Sequence, residues 1–210
     1  MGLRRAEFQR LDRWVVENVL QLITPQAQRL SELGVRFAIN LTGQSISQPN
    51  FADFVRTAVK QHNVPAGMLG FEFTETAAVR NIGATRRFIE RIADLGSTIA
   101  LDDFGTGLSS LMHLKELAIN QIKIDGTFIR DLLTNTRSEA LVRALVLIAE
   151  QLKLETVAEY IESEAVAEKL RTLGVAYGQG YLYGKPKALS DALADVLAAS
   201  TPQRARAAKR

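Results

Sequence analysis

The stretch STIALDDFGTGLSSLMHLKELAINQIKID, residues 97–125, contains two short apolar runs that carry ionisable residues near their ends. The first run ends at Asp102 and Asp103, and the second contains Lys123. Residues 108–117 between them have the spacing of a short helix. A strand, a helix and a second strand in this order predict two parallel strands. The helix returns the chain to the end of the sheet where the first strand began, so the second strand runs in the same direction.

The same alternation extends in both directions along the chain. The predicted strands cover residues 35–40, 68–75, 97–103, 118–125, 154–160 and 175–181. The predicted helices cover residues 7–23, 51–62, 81–95, 108–117, 138–152 and 163–173. In the first helix Phe8, Leu11, Val15 and Leu22 recur at helical spacing, so we expect them to face the core. The pattern predicts an α/β fold whose parallel sheet is covered on both faces.

Two arrangements satisfy this pattern, an open doubly wound sheet and a closed (β/α) barrel. No predicted strand is followed by the glycine-rich motifs of dinucleotide-binding or P-loop proteins, so those versions of the open sheet have no support. A complete barrel has eight units in roughly 250 residues, whereas this chain of 210 residues carries about six. We therefore expect a TIM-like (β/α) barrel that is incomplete at the N-terminus. It should span residues 1–190, with residues 191–210 forming a helix end and a basic tail.

Composition places the chain among ordinary globular domains and limits its chemistry. Hydrophobic residues make up 47% and charged residues 23% of the sequence, which argues against a disordered body. The absence of cysteine excludes disulfides and thiolate sites and leaves oxygen as the main metal donor. Four basic residues lie in the last seven positions, so the net charge of +3 belongs to the tail and not to a DNA-binding face. No apolar run reaches the length of a membrane span, and we expect a cytoplasmic location.

Strand after strand ends in a polar or ionisable side chain. These residues are Asn40, Glu72, Asp102, Asp103, Lys123, Glu159 and Gln179. In a (β/α) barrel the carboxyl ends of all strands face one mouth, where side chains far apart in sequence converge. Glu72 and Asp102 lie within apolar runs, where an unpaired carboxylate is costly. The pattern therefore predicts one shared polar site.

Several carboxylates in one mouth repel one another, and divalent cations relieve that repulsion. Carboxylate and amide oxygens favour Mg²⁺, Mn²⁺ or Ca²⁺, and this set suffices for one hexacoordinate ion or for two ions that share a carboxylate. Two cations about 4 Å apart are a common device for displacement at phosphorus. Lys123 suits a water or a phosphate at such a site. Glycoside hydrolysis, the other reaction of paired carboxylates, leaves the lysine and the amides without a role.

Several segments resemble the EAL family of cyclic di-GMP phosphodiesterases. They are LDDFGTGLSSL at 101–111, IKIDGTFI at 122–129, TVAEYIE at 156–162 and QGYLYGKP at 179–186, with INLTGQS and FEFTET resembling earlier strands of the family. The resemblance runs in order from residue 11 to residue 186. It implies a modified (β/α) barrel that binds two Mg²⁺ or Mn²⁺ ions and hydrolyses cyclic di-GMP to linear pGpG in bacterial second-messenger signalling.

The resemblance also implies roles for individual residues. The first ion would be held by Asn40, Glu72 and Asp102, and the second by Asp102, Asp103 and Glu159. The catalytic group would be Glu159, Lys123 and Gln179, in which Lys123 contacts the attacking water and Gln179 helps to place it. The remaining matched positions are Gly105, Gly107 and Pro186 at the substrate mouth, Glu75 beside the loop after Asp103, and Glu162 in support of the site.

The chain departs from the family pattern at four places. The Glu-Ala-Leu motif of an early strand has no counterpart, so one ligand of the first ion is missing. Leu108 replaces a usual tyrosine, Gly126 a usual arginine and Tyr160 a usual glycine. These differences leave two functions open, an enzyme that hydrolyses cyclic di-GMP and a degenerate module that binds the nucleotide or a protein partner without turnover. A homodimer and an upstream sensor or cyclase domain are also expected.

Overall fold

The computed structural model describes residues 5–105 and 114–199. Within these ranges six strands form a single sheet in the order β1 to β6. They are β1 (Phe37–Asn40), β2 (Leu69–Thr74), β3 (Thr98–Phe104), β4 (Gln121–Ile124), β5 (Glu155–Ala158) and β6 (Tyr177–Gly178). Each strand pairs in parallel with the next in sequence, so the sheet curls into a half-barrel. All six predicted strands and the incomplete barrel are confirmed.

Helices connect the strands and cover the convex side of the sheet. They are α1 (Arg5–Ile23), α2 (Ala27–Glu32), α3 (Gly43–Ile46), α4 (Phe51–Gln61), α5 (Glu75–Arg80), α6 (Ile82–Ile92), α7 (Gly126–Ile129), α8 (Thr136–Gln151), α9 (Glu164–Thr172) and α10 (Leu189–Ala199). The predicted helix over 108–117 lies largely outside the described residues. In the part of the chain that the structure describes, no helix is long and apolar enough to cross a membrane.

Three short helices that follow strands were not predicted, and each begins one to three residues after its strand ends. Thr42, Thr74 and Asp125 precede α3, α5 and α7, and each side chain accepts a hydrogen bond from a backbone N–H of the first turn. Such capping replaces helical hydrogen bonds that the first turn cannot make. The chain therefore turns sharply at the carboxyl ends of β1, β2 and β4, which fixes the positions of the residues just before the turns.

The main core lies between the sheet and the helices. Phe71 and Phe73 alternate with polar residues along β2 and are buried on its convex side. Phe88 of α6 stacks on Phe51 of α4 at 6.0 Å between ring centroids and meets Phe71 edge-on at 6.3 Å. These apolar contacts pack one face of β2 against the helices. Because successive side chains of a strand point to opposite faces, the polar residues of β2 point to the concave side.

The prediction of which residues of α1 face the core is wrong in part. Leu11 and Leu22 are 47% and 43% exposed, whereas Val16, Leu20 and Ile23 are fully buried. Apolar residues occur on more than one side of this helix, so their spacing alone does not select the buried side. Leu11 also borders a groove along the outer edge of β1, which no strand covers within 5–105 and 114–199.

Candidate functional site

Lys123 is the centre of the polar site at the carboxyl ends of the strands. Its Nζ lies 2.9 Å from Glu72 Oε2, 3.0 Å from Asp102 Oδ1 and 2.8 Å from Glu159 Oε1. An ammonium group has three N–H donors, so three carboxylates satisfy it completely. The three acids come from β2, β3 and the end of β5, and the prediction that these strand ends share one mouth is confirmed.

Burial makes these ion pairs strong and also makes them interdependent. The side chain of Lys123 is 4% exposed, and those of Glu72 and Glu159 are 12% exposed. Burial alone would lower the pKa of Lys123, but the hydrogen bond that Lys123 donates to Glu159 and the charge of Glu72 outweigh burial and raise the pKa above its usual value. The lysine therefore stays charged, and three carboxylates around one ammonium leave excess negative charge.

A break in the strand pairing brings two neighbouring aspartates to the same side of the sheet. Consecutive side chains of a regular strand point to opposite faces. The register of β3 against β4 shifts between Leu101 and Phe104, and Asp103 has a left-handed φ of 53°. Such a bulge redirects a side chain. As a result, one ligand oxygen from each of Asp102, Asp103 and Glu159 lies within 4.8 Å of the other two.

The electrostatics of this acidic cluster favour a bound cation. Burial, followed by the charges of Asp102 and Asp125, raises the pKa of Asp103. Burial likewise raises the pKa of Glu159 and outweighs the opposite effect of Lys123. A carboxylate whose ionised form is penalised by burial and by like charges gains most from a nearby positive ion. The donor set and its spacing therefore fit a divalent metal.

The acidic cluster opens into a pocket of about 480 Å³. The residues that line it come from β3, from the segments after β4 and β5, and from the segment after β6. They are Asp102, Asp103, Asp125, Glu159, Tyr160, Glu162, Gln179, Gly180 and Tyr181. Two predicted residues of the site, Gln179 and Glu162, therefore share this pocket with the acids.

Other predicted residues lie around the cluster without lining that pocket. Asn40 pairs with Glu72 across β1 and β2 and faces the groove at the edge of β1. Glu75 is buried, and its Oε2 accepts a hydrogen bond of 3.4 Å from the N–H of Gly105. Pro186 is exposed on the segment between β6 and α10. Gly107 and Leu108 lie outside the described residues.

Three functional candidates were missed by reasoning from the sequence. Asp125 lines the pocket, and its place directly after β4 matches that of the predicted acids. Tyr160 was noted only as a departure from the family, yet its ring lies in the pocket wall. Asp12 of α1 is buried and accepts hydrogen bonds from the N–H and Oγ1 of Thr42, two residues after Asn40. Nothing in the sequence around Asp12 signals this contact.

The letters Glu-Ala-Leu do occur in the chain, at residues 139–141, but not on a strand. They lie in α8, where Glu139 pairs with Arg143 and Lys169. The tripeptide is therefore part of the helical layer and adds no ligand to the acidic cluster.

Comparisons with known proteins agree with this geometry. The family model described as EAL domain matches residues 4–186. The chain is 37% identical over 186 residues to the cyclic di-GMP phosphodiesterase PdeF of Escherichia coli K12, covering 89% of this chain and 25% of that protein. It is 33% identical over 153 residues to the cyclic di-GMP phosphodiesterase PdeB of Shewanella oneidensis, covering 73% of this chain and 18% of that protein. The chain thus spans about a quarter or less of these curated relatives.

Solved structures show the same fold. The PaMucR phosphodiesterase in complex with c-di-GMP superposes with a TM-score of 0.80 at 32% identity, covering 87% of this chain and 74% of that one. The EAL domain of DcpA from Mycobacterium smegmatis also gives 0.80 at 31% identity, covering 92% of this chain and 86% of that one. The curled half-barrel is therefore the architecture of these domains over most of its length.

Proposed function

Because the chain belongs to the EAL domain family, we propose that it binds cyclic di-GMP at the mouth of the half-barrel and hydrolyses one phosphodiester bond to give linear pGpG. The observation that carries the proposal is the acidic cluster of Asp102, Asp103 and Glu159 beside the buried ammonium of Lys123. The named activities of the relatives and the nucleotide bound in a similar structure support the same substrate.

The site would hold Mg²⁺ or Mn²⁺ as a two-ion centre. The second ion has the better-defined donors, since Asp102, Asp103 and Glu159 already lie within 4.8 Å of one another. Glu72 and Asn40 are neighbours across two strands and would serve the first ion together with Asp102. When bound, the ions supply positive charge that stabilises the charge developing on the phosphoryl oxygens.

The residues of the chain would position the water and handle its proton. Glu159 lines the pocket and has a raised pKa, so it is suited to accept the proton that the attacking water loses. Gln179 in the same pocket would orient that water, and Lys123 would donate a hydrogen bond to it in exchange for one of its three carboxylate contacts. The water oxygen forms a bond to phosphorus, the bond from phosphorus to O3′ breaks, and the proton released by water ends on O3′.

A receptor without turnover is the second candidate, and Tyr160 favours it. The aromatic ring follows Glu159 directly and stands in the pocket wall, where the family has a glycine. Extra bulk beside a ligand residue can hold a nucleotide in a pose that is unsuited to attack by water. We also propose a homodimer, a cytoplasmic location and an upstream sensor or cyclase domain for the whole protein.

Product analysis after incubation of the chain with cyclic di-GMP and Mn²⁺ tests this proposal. Chromatography should show pGpG, and Glu159→Gln should reduce its rate of formation by about a hundredfold or more. Glu155→Gln is the matched control, because Glu155 begins β5, the strand that Glu159 directly follows, and contacts Gln121 and Tyr177 instead of Lys123. Tight binding of cyclic di-GMP without pGpG would support the receptor, and no binding would reject both functions.

A further inference from the structure

Tyr160 presents an aromatic surface inside the pocket that contains the acidic cluster. The residue is 50% exposed. Its neighbour Glu159 contacts Lys123, so the ring lies next to the groups that would meet a phosphodiester. An exposed aromatic ring beside a phosphate-binding centre is well placed to meet the base that the same nucleotide carries.

The backbone at Tyr160 has an unusual conformation. Its φ of 56° is in the left-handed region, which is unfavourable for a large side chain. Such a conformation persists when the surroundings stabilise it, and it is frequent at ligand sites. The conformation therefore marks Tyr160 as held in place by its contacts.

Two residues of one helical segment provide those contacts. Arg130, at the end of α7, places its guanidinium carbon 4.4 Å from the centroid of the Tyr160 ring. Gly126, at the start of α7, leaves the space that the ring fills, since a Cβ there would lie 2.1 Å from Tyr160 Cδ2. A cation over an aromatic ring restricts the ring and adds attraction. We call Tyr160, Gly126 and Arg130 the aromatic platform.

The aromatic platform explains two departures from the family as a single change. An arginine at position 126 could not coexist with the Tyr160 ring in its present place, because even its Cβ would overlap the ring. Glycine at 126 and tyrosine at 160 therefore belong together. Arg130 supplies a guanidinium against the ring, one turn further along the same segment.

We propose that Tyr160 is a substrate-contacting residue whose ring stacks on one guanine base of cyclic di-GMP and is supported from behind by Arg130. This rests on the proposed function, which supplies the nucleotide. The platform would fix the orientation of that base in the pocket beside the acidic cluster.

Calorimetric titration of cyclic di-GMP into the chain tests the platform, with no divalent cation added so that the nucleotide is not hydrolysed during the titration. Tyr160→Gly should weaken binding about tenfold, the loss of one base stacked on an aromatic ring. Tyr160→Phe keeps the ring and should bind within about twofold of the original chain. Arg130→Gln should weaken binding about threefold, and an unchanged affinity would remove Arg130 from the platform.

Controls separate stacking from loss of fold. Glycine suits a left-handed φ, so Tyr160→Gly should keep its thermal unfolding midpoint. Tyr183→Gly removes another exposed tyrosine that is not among the described residues lining the pocket, and its affinity should not change. Equal or tighter binding by Tyr160→Gly would overturn the platform and would mean that the ring obstructs the pocket. If the original chain itself does not bind cyclic di-GMP, the proposed function is wrong, and the proposed role of Tyr160, which rests on it, is rejected as well.

Discussion

A single ammonium group organises the candidate site. Lys123 contacts carboxylates from three different strands, and removal of one member of such a buried network leaves the others unpaired. The lysine thus has a structural role in addition to the proposed contact with water, because it offsets repulsion that would otherwise push β2, β3 and the end of β5 apart.

Substitution of this lysine should therefore destabilise the fold. Lys123→Met is expected to lower the free energy of unfolding by about 3 kcal/mol near neutral pH, as measured by urea denaturation. The loss should shrink as pH falls, because protonated carboxyl groups no longer repel one another. Lys115→Met, at an exposed position, is the control and should change little. Equal losses for the two variants would contradict this role of Lys123.

At the residue scale, the sequence predicted which side chains meet but not how Asp103 reaches the others. The ends of parallel strands must lie at one edge of the sheet, so the convergence of Glu72, Asp102 and Glu159 follows from the alternation of strands and helices. A regular strand would have turned Asp103 away from Asp102. Its left-handed conformation and the register shift depend on tertiary contacts that no local pattern encodes.

At the scale of elements, capped turns fix the strand ends. The turn after β1 is held by Asp12 of α1, which accepts 2.9 Å and 2.7 Å hydrogen bonds from the N–H and Oγ1 of Thr42. Thr42 also caps α3. The contact therefore connects α1 to the position of Asn40, although residues 12 and 42 are distant in sequence.

Removal of the Asp12 carboxylate should be costly. Asp12→Ala leaves two donors of Thr42 without their buried acceptor, so the free energy of unfolding should fall by about 2 kcal/mol. Asp12→Asn keeps an acceptor oxygen and should lose less. Denaturant unfolding of both variants measures the difference, and Glu17→Ala on an exposed position of the same helix is the control. An unchanged stability of Asp12→Ala would disprove the anchoring role.

A surface ion network on the helical layer should give a predictable pH dependence. Asp94, in the turn after α6, contacts Arg56 and Lys60 of α4 at 2.9 Å and 2.6 Å. Hydrogen bonds from Arg56 and Lys60 lower the pKa of Asp94 well below its ordinary 3.8. A lowered pKa means that the unfolded chain binds the proton first, so the stabilisation is present above the ordinary pKa and is lost as pH falls through the folded value.

Comparison with Asp94→Asn isolates this contribution. The original chain should have a slightly higher urea midpoint than the variant near neutral pH, and the difference should disappear in acid. The effect should be small because the Asp94 side chain is 41% exposed and solvent screens it. A difference that grows as pH falls would have the wrong sign for this network.

Element boundaries were predicted well where apolar periodicity is long, and less well where single turns follow strands. The helices over 51–62 and 138–152 were predicted within a few residues of α4 and α8. The short helices α3, α5 and α7 depend on capping by Thr42, Thr74 and Asp125 and have too few residues to show a period. The buried face of α1 depends on which side of the helix the sheet covers, which its spacing does not determine.

At the scale of the whole molecule, the outer strands β1 and β6 each have one unpaired edge within residues 5–105 and 114–199. No strand pairs with the outer edge of β1 in the parts of the chain that the structure describes, and unpaired edges tend to associate. We therefore expect light scattering to give about twice the chain mass of 23.1 kDa. A monomer over the range of concentrations used for activity assays would contradict the proposed homodimer.

Titration of Mn²⁺ followed by electron paramagnetic resonance is the most direct test of the central claim, that the strand ends form a divalent cation site. The original chain should bind Mn²⁺, and Asp103→Asn should weaken that binding by on the order of tenfold or more. Asp94→Asn, the same substitution on the helical layer, should leave it unchanged. Absence of Mn²⁺ binding, or equal affinity in the original chain and Asp103→Asn, would contradict the account.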